Sequence, residues 1–193
     1  MASIAIAGDS SGAVTLQAPA VAGSNTLSLQ AVSGTLAPIV SGTAVATTSG
    51  TVADFTSIPS WVKRITVMLQ GVSTSGTSNL QIQLGTGAGP TYTTSGYLGS
   101  AVSTTGATTA NYASGLLIAS NTAAARVYHG TVTILNISGN SWAASGIVGF
   151  SDSGGGNWSA GSIAMGGAVT ALRVTTVGGT DTFDAGSINI LYE

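Results

Sequence analysis

The chain has 193 residues, 44% hydrophobic but only 5% charged, with a net charge of −2 at pH 7 and no cysteine. Four basic residues, two of them adjacent, are too few for the phosphate contacts a nucleic-acid binder needs, and the lack of cysteine excludes disulfides and thiolate metal sites. A mean hydropathy of +0.45 argues against a solvated coil, yet no run of about 18 apolar residues offers a helical membrane span.

Gly, Ser and Thr supply the polarity that charge does not, at about four residues in ten. A surface so poor in charge lacks the ordinary protection against association. The composition therefore implies an obligate oligomer whose apolar surface is covered by copies of itself or by neighbouring proteins.

In chain order, the opening MASIAIAGDS has neither the basic region nor the apolar length of a secretory leader. The first 40 residues carry a weak repeat, Thr15-Leu16-Gln17-Ala18 returning as Ser28-Leu29-Gln30-Ala31. Each copy reads as a short alternating strand, too small to bury a core alone. Residues 41–51 read as a linker or an extended edge. Beyond them, strand patterns follow one another: Trp61 to Val72, the strict alternation Leu80-Gln81-Ile82-Gln83-Leu84, Tyr128 to Ile137, Gly146 to Phe150, Ser162 to Met165, Leu172 to Val177 and Ser187 to Tyr192. Gly, Asn, Ser and Asp clusters separate them, and helix signals are nearly absent. The pattern predicts an all-β fold, an antiparallel β-sandwich or jelly roll with an extended N-terminal β arm. The division is residues 1–50 as arm and linker and 51–193 as sandwich, against one continuous sandwich with a strand-like arm.

Few residues suggest chemistry. Gly8-Asp9-Ser10-Ser11-Gly12 has the look of a serine-hydrolase block, either SGNH-like or trypsin-like. The sole histidine, His129, stands in the wrong place for both, and a serine hydroxyl without a positioned base is not activated. A β-turn is the ordinary reading of that string. Asp181 and Asp184 share one turn before the last strand, whereas glycosidase carboxylates come from separate elements facing a cleft. Turn-capping suits them better, and Asp152 beside Gly154 reads likewise. One histidine and no cysteine leave no zinc site, so neither catalytic, metal nor cofactor residues are expected. Tyr92, Tyr97, Asn157 and Trp158 form the candidate glycan contacts, aromatic faces placed near loops with polar groups beside them. The competing reading is that these aromatics seal sheet edges or subunit contacts.

The stretch Gly12-Ala13-Val14-Thr15-Leu16-Gln17-Ala18-Pro19, continuing through Ala22-Gly23-Ser24-Asn25-Thr26-Leu27-Ser28-Leu29 to Gly34-Thr35-Leu36, resembles a segment near the start of many tailed-phage virion proteins, including tail-fibre and head-decoration components. The stretches from Asp54 to Gly85 and from Asp181 to Glu193 also resemble phage structural proteins. One departure is Leu29-Gln30-Ala31, where the family often has Leu-Pro-Ala. The resemblance implies a β-rich, usually trimeric virion component attached through its N-terminal segment. Val14, Leu16, Leu27, Leu29, Leu36 and Ile39 would supply the assembly contacts. The expectation is a non-enzymatic capsid decoration (cement) protein on the phage surface, with itself and the major capsid protein as partners. The alternative is a tail-fibre or head-fibre protein whose sandwich binds a host glycan.

Overall fold

The computed structural model describes residues 3–7, 13–17, 37–105, 109–110, 113–120, 122–124 and 126–193, and the chain divides into two compact units, 1–36 and 37–193. All regular structure among the described residues is β-strand.

In the first unit, Ser3–Ala7 (β1) and Ala13–Gln17 (β2) pair antiparallel, with Ser3 opposite Gln17 and Ala7 opposite Ala13. The register sets Ile4 opposite Leu16 and Ile6 opposite Val14. A two-stranded ribbon of this length is marginal by itself in water. Thr15, Leu16 and Gln17 of the first repeat copy are thus in a strand. The second copy, the string 8–12, and Leu27, Leu29 and Leu36 lie outside the described residues.

The second unit begins with Val40–Ser41 (β3), Val45–Ala46 (β4), Val52–Phe55 (β5), Arg64–Thr74 (β6) and Leu80–Thr86 (β7). Thr91–Tyr92 (β8), Leu98–Ser103 (β9), Thr109–Ala110 (β10) and Leu116–Leu117 (β11) are shorter. The long strands Tyr128–Ser138 (β12), Ser141–Phe150 (β13), Gly156–Ala164 (β14), Val169–Thr176 (β15) and Phe183–Tyr192 (β16) complete it. One sheet runs β10-β9-β14-β13-β12-β6-β16-β3, with β4 also on β16. The other runs β11-β7-β15-β5, with β8 on β7. All pairings are antiparallel, and β12, β13 and β14 form a meander in sequence order.

The two sheets pack into a sandwich because each long strand alternates. From the large sheet Ile65, Val67, Leu69, Val132, Ile134, Val148, Ile188 and Ile190 point inward, and from the small sheet Leu80, Ile82, Leu84, Leu172 and Val174 meet them in one continuous core. Burying each such side chain stabilises the fold by about 1.5–3 kcal/mol. Val40–Ser41 and Val45–Ala46 pair with β16, so the first part of the segment 41–51, expected as linker or edge, is an edge of the large sheet within the 37–193 unit. The strand expected from Trp61 starts three residues later. The Val62 N–H donates to the Pro59 carbonyl, which makes a turn of residues 59–62 and leaves Trp61 outside, its ring against Tyr192.

Candidate functional site

The expected glycan cluster does not assemble. Tyr97 is 1% exposed in the core, and its hydroxyl oxygen accepts the Leu84 N–H at 2.8 Å. Asn157 is equally buried, its Oδ1 accepting from the Ser120 N–H at 2.9 Å. Neither reaches solvent, so both are corrected from ligand contacts to core fasteners. Trp158, expected on a loop after Gly154 to Asn157, lies within β14 and is 53% exposed on the sheet face. Tyr92 is half-buried on the opposite sheet, with the Arg173 guanidinium 4.0 Å over its ring. Of the expected assembly residues, Ile39 is 67% exposed at the start of the second unit, and Val14 and Leu16 lie on β2.

The residues that resembled catalytic groups have structural partners. His129 Nδ1 accepts the Gly71 N–H at 3.2 Å, which places the ring proton on Nε2, 3.2 Å from Ser151 Oγ. A serine nucleophile needs the reverse, a bare Nε2 to take its proton. Asp181 accepts the Ser78 N–H at 2.8 Å across to the β6–β7 loop, while Asp184 is an exposed residue inside β16 rather than on the same turn. Asp152 accepts the Val127 N–H at 3.0 Å and pairs with Arg126 at 3.2 Å. Desolvation works against its charge, but the hydrogen bonds and Arg126 hold its carboxyl below the usual range. Arg64 pairs with Glu193, and Lys63 Nζ donates to Asn136 at 3.2 Å. The scarce charges are thus largely consumed within the fold. Among the described residues no three His, Cys, Asp or Glu side chains gather as a metal site.

Two surfaces of opposite character remain, one on each side of the sandwich. On the large sheet the register aligns Asn189, Met68, Thr131, Ile147, Trp158 and Val102 in a row across six strands. A second row is Leu191, Thr66, Thr133, Ser145, Ala160 and Ser100, and a third is Arg64, Leu135, Ala143, Ser162 and Leu98. Arg64, tied to Glu193, is the one charged residue in these rows. Ile147 is 65% exposed, Leu98 71% and Leu135 48%. The face is open and poor in charge, mixes these apolar side chains with Thr and Ser hydroxyls, and has a hollow of about 390 Å³ beside Trp158, lined by Thr131, Thr133, Ser145 and Ile147.

On the small sheet the outer face is concave and polar. The register aligns Gln83, Arg173 and Asp54 in one row and Gln81, Thr175 and Val52 in the next. Except for Asp54, they line a cleft of about 450 Å³, walled by Thr94, Ser114, Thr51 and the Gly178-Gly179 turn. Arg173 grips Asp54 with Nε and Nη2, both at 2.7 Å, the bidentate geometry that holds a guanidinium in one orientation. Hydrogen bonding to Asp54 raises the Arg173 pKa further, so the guanidinium keeps its charge. Burial, then the Asp54 charge, pushes the Tyr92 hydroxyl up to about 12 against the pull of Arg173.

Each wall is tied to the floor. Gln81 Oε1 accepts from Ser114 Oγ at 2.8 Å, and Gln83 Nε2 donates to the Ser114 carbonyl at 2.9 Å. Gly115 permits this approach, since a Cβ there would fall 2.8 Å from Gln81 Oε1. Gly85 permits another: a Cβ would fall 3.1 Å from the Tyr92 ring, which lies flat on that bare backbone. The alternation at 80–84 named the inward aliphatics but not the covering of Gln81 and Gln83, which are 2% and 7% exposed. The alternation carried a faint signal, two amides at the same pitch as Arg173 and Thr175, but nothing local paired those strands.

Compared with known proteins, the chain matches no family model, no curated protein and no solved structure. Fold and surfaces define it as an antiparallel β-sandwich protein.

Proposed function

We propose that this is a non-enzymatic structural protein of a tailed-phage particle, a decoration (cement) protein that self-assembles and attaches to the head through its N-terminal segment. The observation that carries the reading is the charge-poor outer face of the large sheet, where Met68, Ile147 and Trp158 stand in one row. Large apolar side chains left in the open on one face, here Ile147, Trp158, Leu135 and Leu98, mark protein contacts. Six strands spaced about 4.8 Å apart, with three rows of outward side chains repeating about every 6.8 Å, span roughly 24 by 14 Å, before the relief of the projecting Trp and Leu is added. At roughly 340 Å² that is under half of the ~800 Å² per partner of a stable interface, so attachment also draws on the N-terminal segment. Virion proteins gain stability from assembly, and this face supplies hydrophobic contact with little charge to desolvate.

The phage setting rests on the resemblance at residues 12–36, 54–85 and 181–193. The β1–β2 ribbon, too short to persist alone, suits addition to a partner's sheet edge. The test is the solution mass of the full chain by light scattering, with co-sedimentation on phage heads lacking decoration. A trimer that binds heads, and whose binding is lost on deleting residues 1–36, supports the reading. A monomer at micromolar concentration that leaves heads in the supernatant overturns it.

A further inference from the structure

We infer that copies of this chain pair face to face on the large sheet, the Trp158 ring of each copy seated in the hollow beside Trp158 of the other. The inference rests on the proposed self-assembly and names how that face is filled.

The hollow has a simple origin in the register. Thr131, Ile147 and Trp158 stand side by side on β12, β13 and β14, and the next outward row on the same strands is Thr133, Ser145 and Ala160. Bulky side chains in one row and small ones in the next leave about 390 Å³ open beside the indole. The ring itself, 53% exposed, projects next to that space. Ring and hollow are both carried by strands paired on either side, so neither has to be ordered when copies meet. A projection beside a depression on one surface is self-complementary under a twofold rotation. With the axis in the plane of contact, between ring and hollow, each ring falls on the other copy's hollow.

The chemistry of the hollow suits an indole. A tryptophan leaving water needs apolar contact for its rings and an acceptor for its N–H. Ile147 and the resident Trp158 supply the first, and the two indoles meet as an aromatic pair. The hydroxyls of Thr131, Thr133 and Ser145 supply the second, and Thr131 and Ser145 are exposed, so an incoming N–H can reach them. A purely aliphatic side chain would cover those hydroxyls without pairing them.

A copy of the chain is also the partner whose charge fits. Arg64, held by Glu193, is the one charged residue in the three rows, so neither copy strips water from an unpaired charge. An ordinary protein, about 25% charged, would bring several such groups to the contact. The area sets the strength. Two faces of roughly 340 Å² bury about 680 Å² in total, within the weak range below ~1,200 Å². Pairing at this face is therefore reversible by itself, and it gains where the N-terminal segment gathers copies and raises their effective concentration.

The experiment uses complementary variants of the full chain. Trp158→Ala removes the ring and leaves the hollow open, and Ser145→Tyr fills the hollow and leaves the ring. A pair of like variants has no ring with a hollow to enter, whereas a mixed pair has one. Sedimentation equilibrium of each variant and of their equimolar mixture gives the association, and urea unfolding checks that each is folded. Expected are dissociation constants at least tenfold above the parent's for either variant alone, and association at least threefold tighter in the mixture than in either. In NMR spectra of the parent, the indole N–H signal that W158A lacks should move as concentration rises. A mixture no tighter than its components, or an indole signal that stays still, overturns the inference. If W158A alone has nonetheless weakened association, the face still joins copies and only the seating of the ring is wrong. Variants that both associate as the parent does overturn the seating and the self-assembly face together.

Discussion

Trp158→Ala measures how much the large-sheet face contributes to self-association. A tryptophan carries 150–250 Å² of accessible surface, and Trp158 is 53% exposed in the sandwich unit. An interface that covers it removes about 100 Å² from water, worth about 2.5 kcal/mol per protomer at ~25 cal/mol per Å². At 1.4 kcal/mol per decade, the dissociation constant rises by roughly fiftyfold or more for each interface that buries one such ring. The residue is not part of the core, so the variant should unfold within about 0.5 kcal/mol of the parent, the usual range for a surface change. Sedimentation equilibrium across a concentration series gives the dissociation constants, and urea unfolding gives the stability. Val52→Ala, 39% exposed on the other face, serves as the control and should leave association unchanged. If Trp158→Ala shifts the dissociation constant less than threefold, or no more than the control does, this face is not where copies meet.

The core and its titration offer two further outcomes. Tyr97→Phe keeps the ring and removes the acceptor of the buried Leu84 N–H, so it should cost about 1–3 kcal/mol in urea unfolding. A loss under 0.5 kcal/mol would mean that this N–H finds another partner. Burial pushes the Tyr97 hydroxyl up to about 12 from 10.0, and the Tyr128 hydroxyl is raised by the same cause. The folded chain then keeps protons that the unfolded chain gives up, so their contribution is whole below pH 10 and declines as pH climbs through about 12. Phenolate absorbance should develop late in the native protein and early in denaturant, with urea midpoints falling over that window. Identical titration curves in the two states would refute the burial.

Much of the architecture was legible because strand alternation is local. Leu80, Ile82 and Leu84 declare an inward face within five residues, and the runs at 128–137 and 187–192 do the same. From such runs alone the all-β class and the antiparallel sandwich followed, since period-two faces must meet other sheet faces. Scarcity of charge was equally readable, and it predicted a surface that does not rely on ions.

Which face met what was decided only by tertiary pairing. Tyr97 looked like a loop aromatic, yet a hydrogen bond to Leu84 and the surrounding core hold it inside. Trp158 looked like a loop residue because three glycines precede it, but β14 begins at Gly156, and its partner strands turn the indole outward. The cleft was invisible for the same reason. Asp54, Gln83 and Arg173 are far apart in the chain and become neighbours only through the order β7-β15-β5. Alternation specifies which side chains share a face of one strand, but register is a relation between strands. It is set by the whole core at once, and it left Ile147, Trp158, Leu135 and Leu98 in the open on one side of this sandwich and made the other concave and polar.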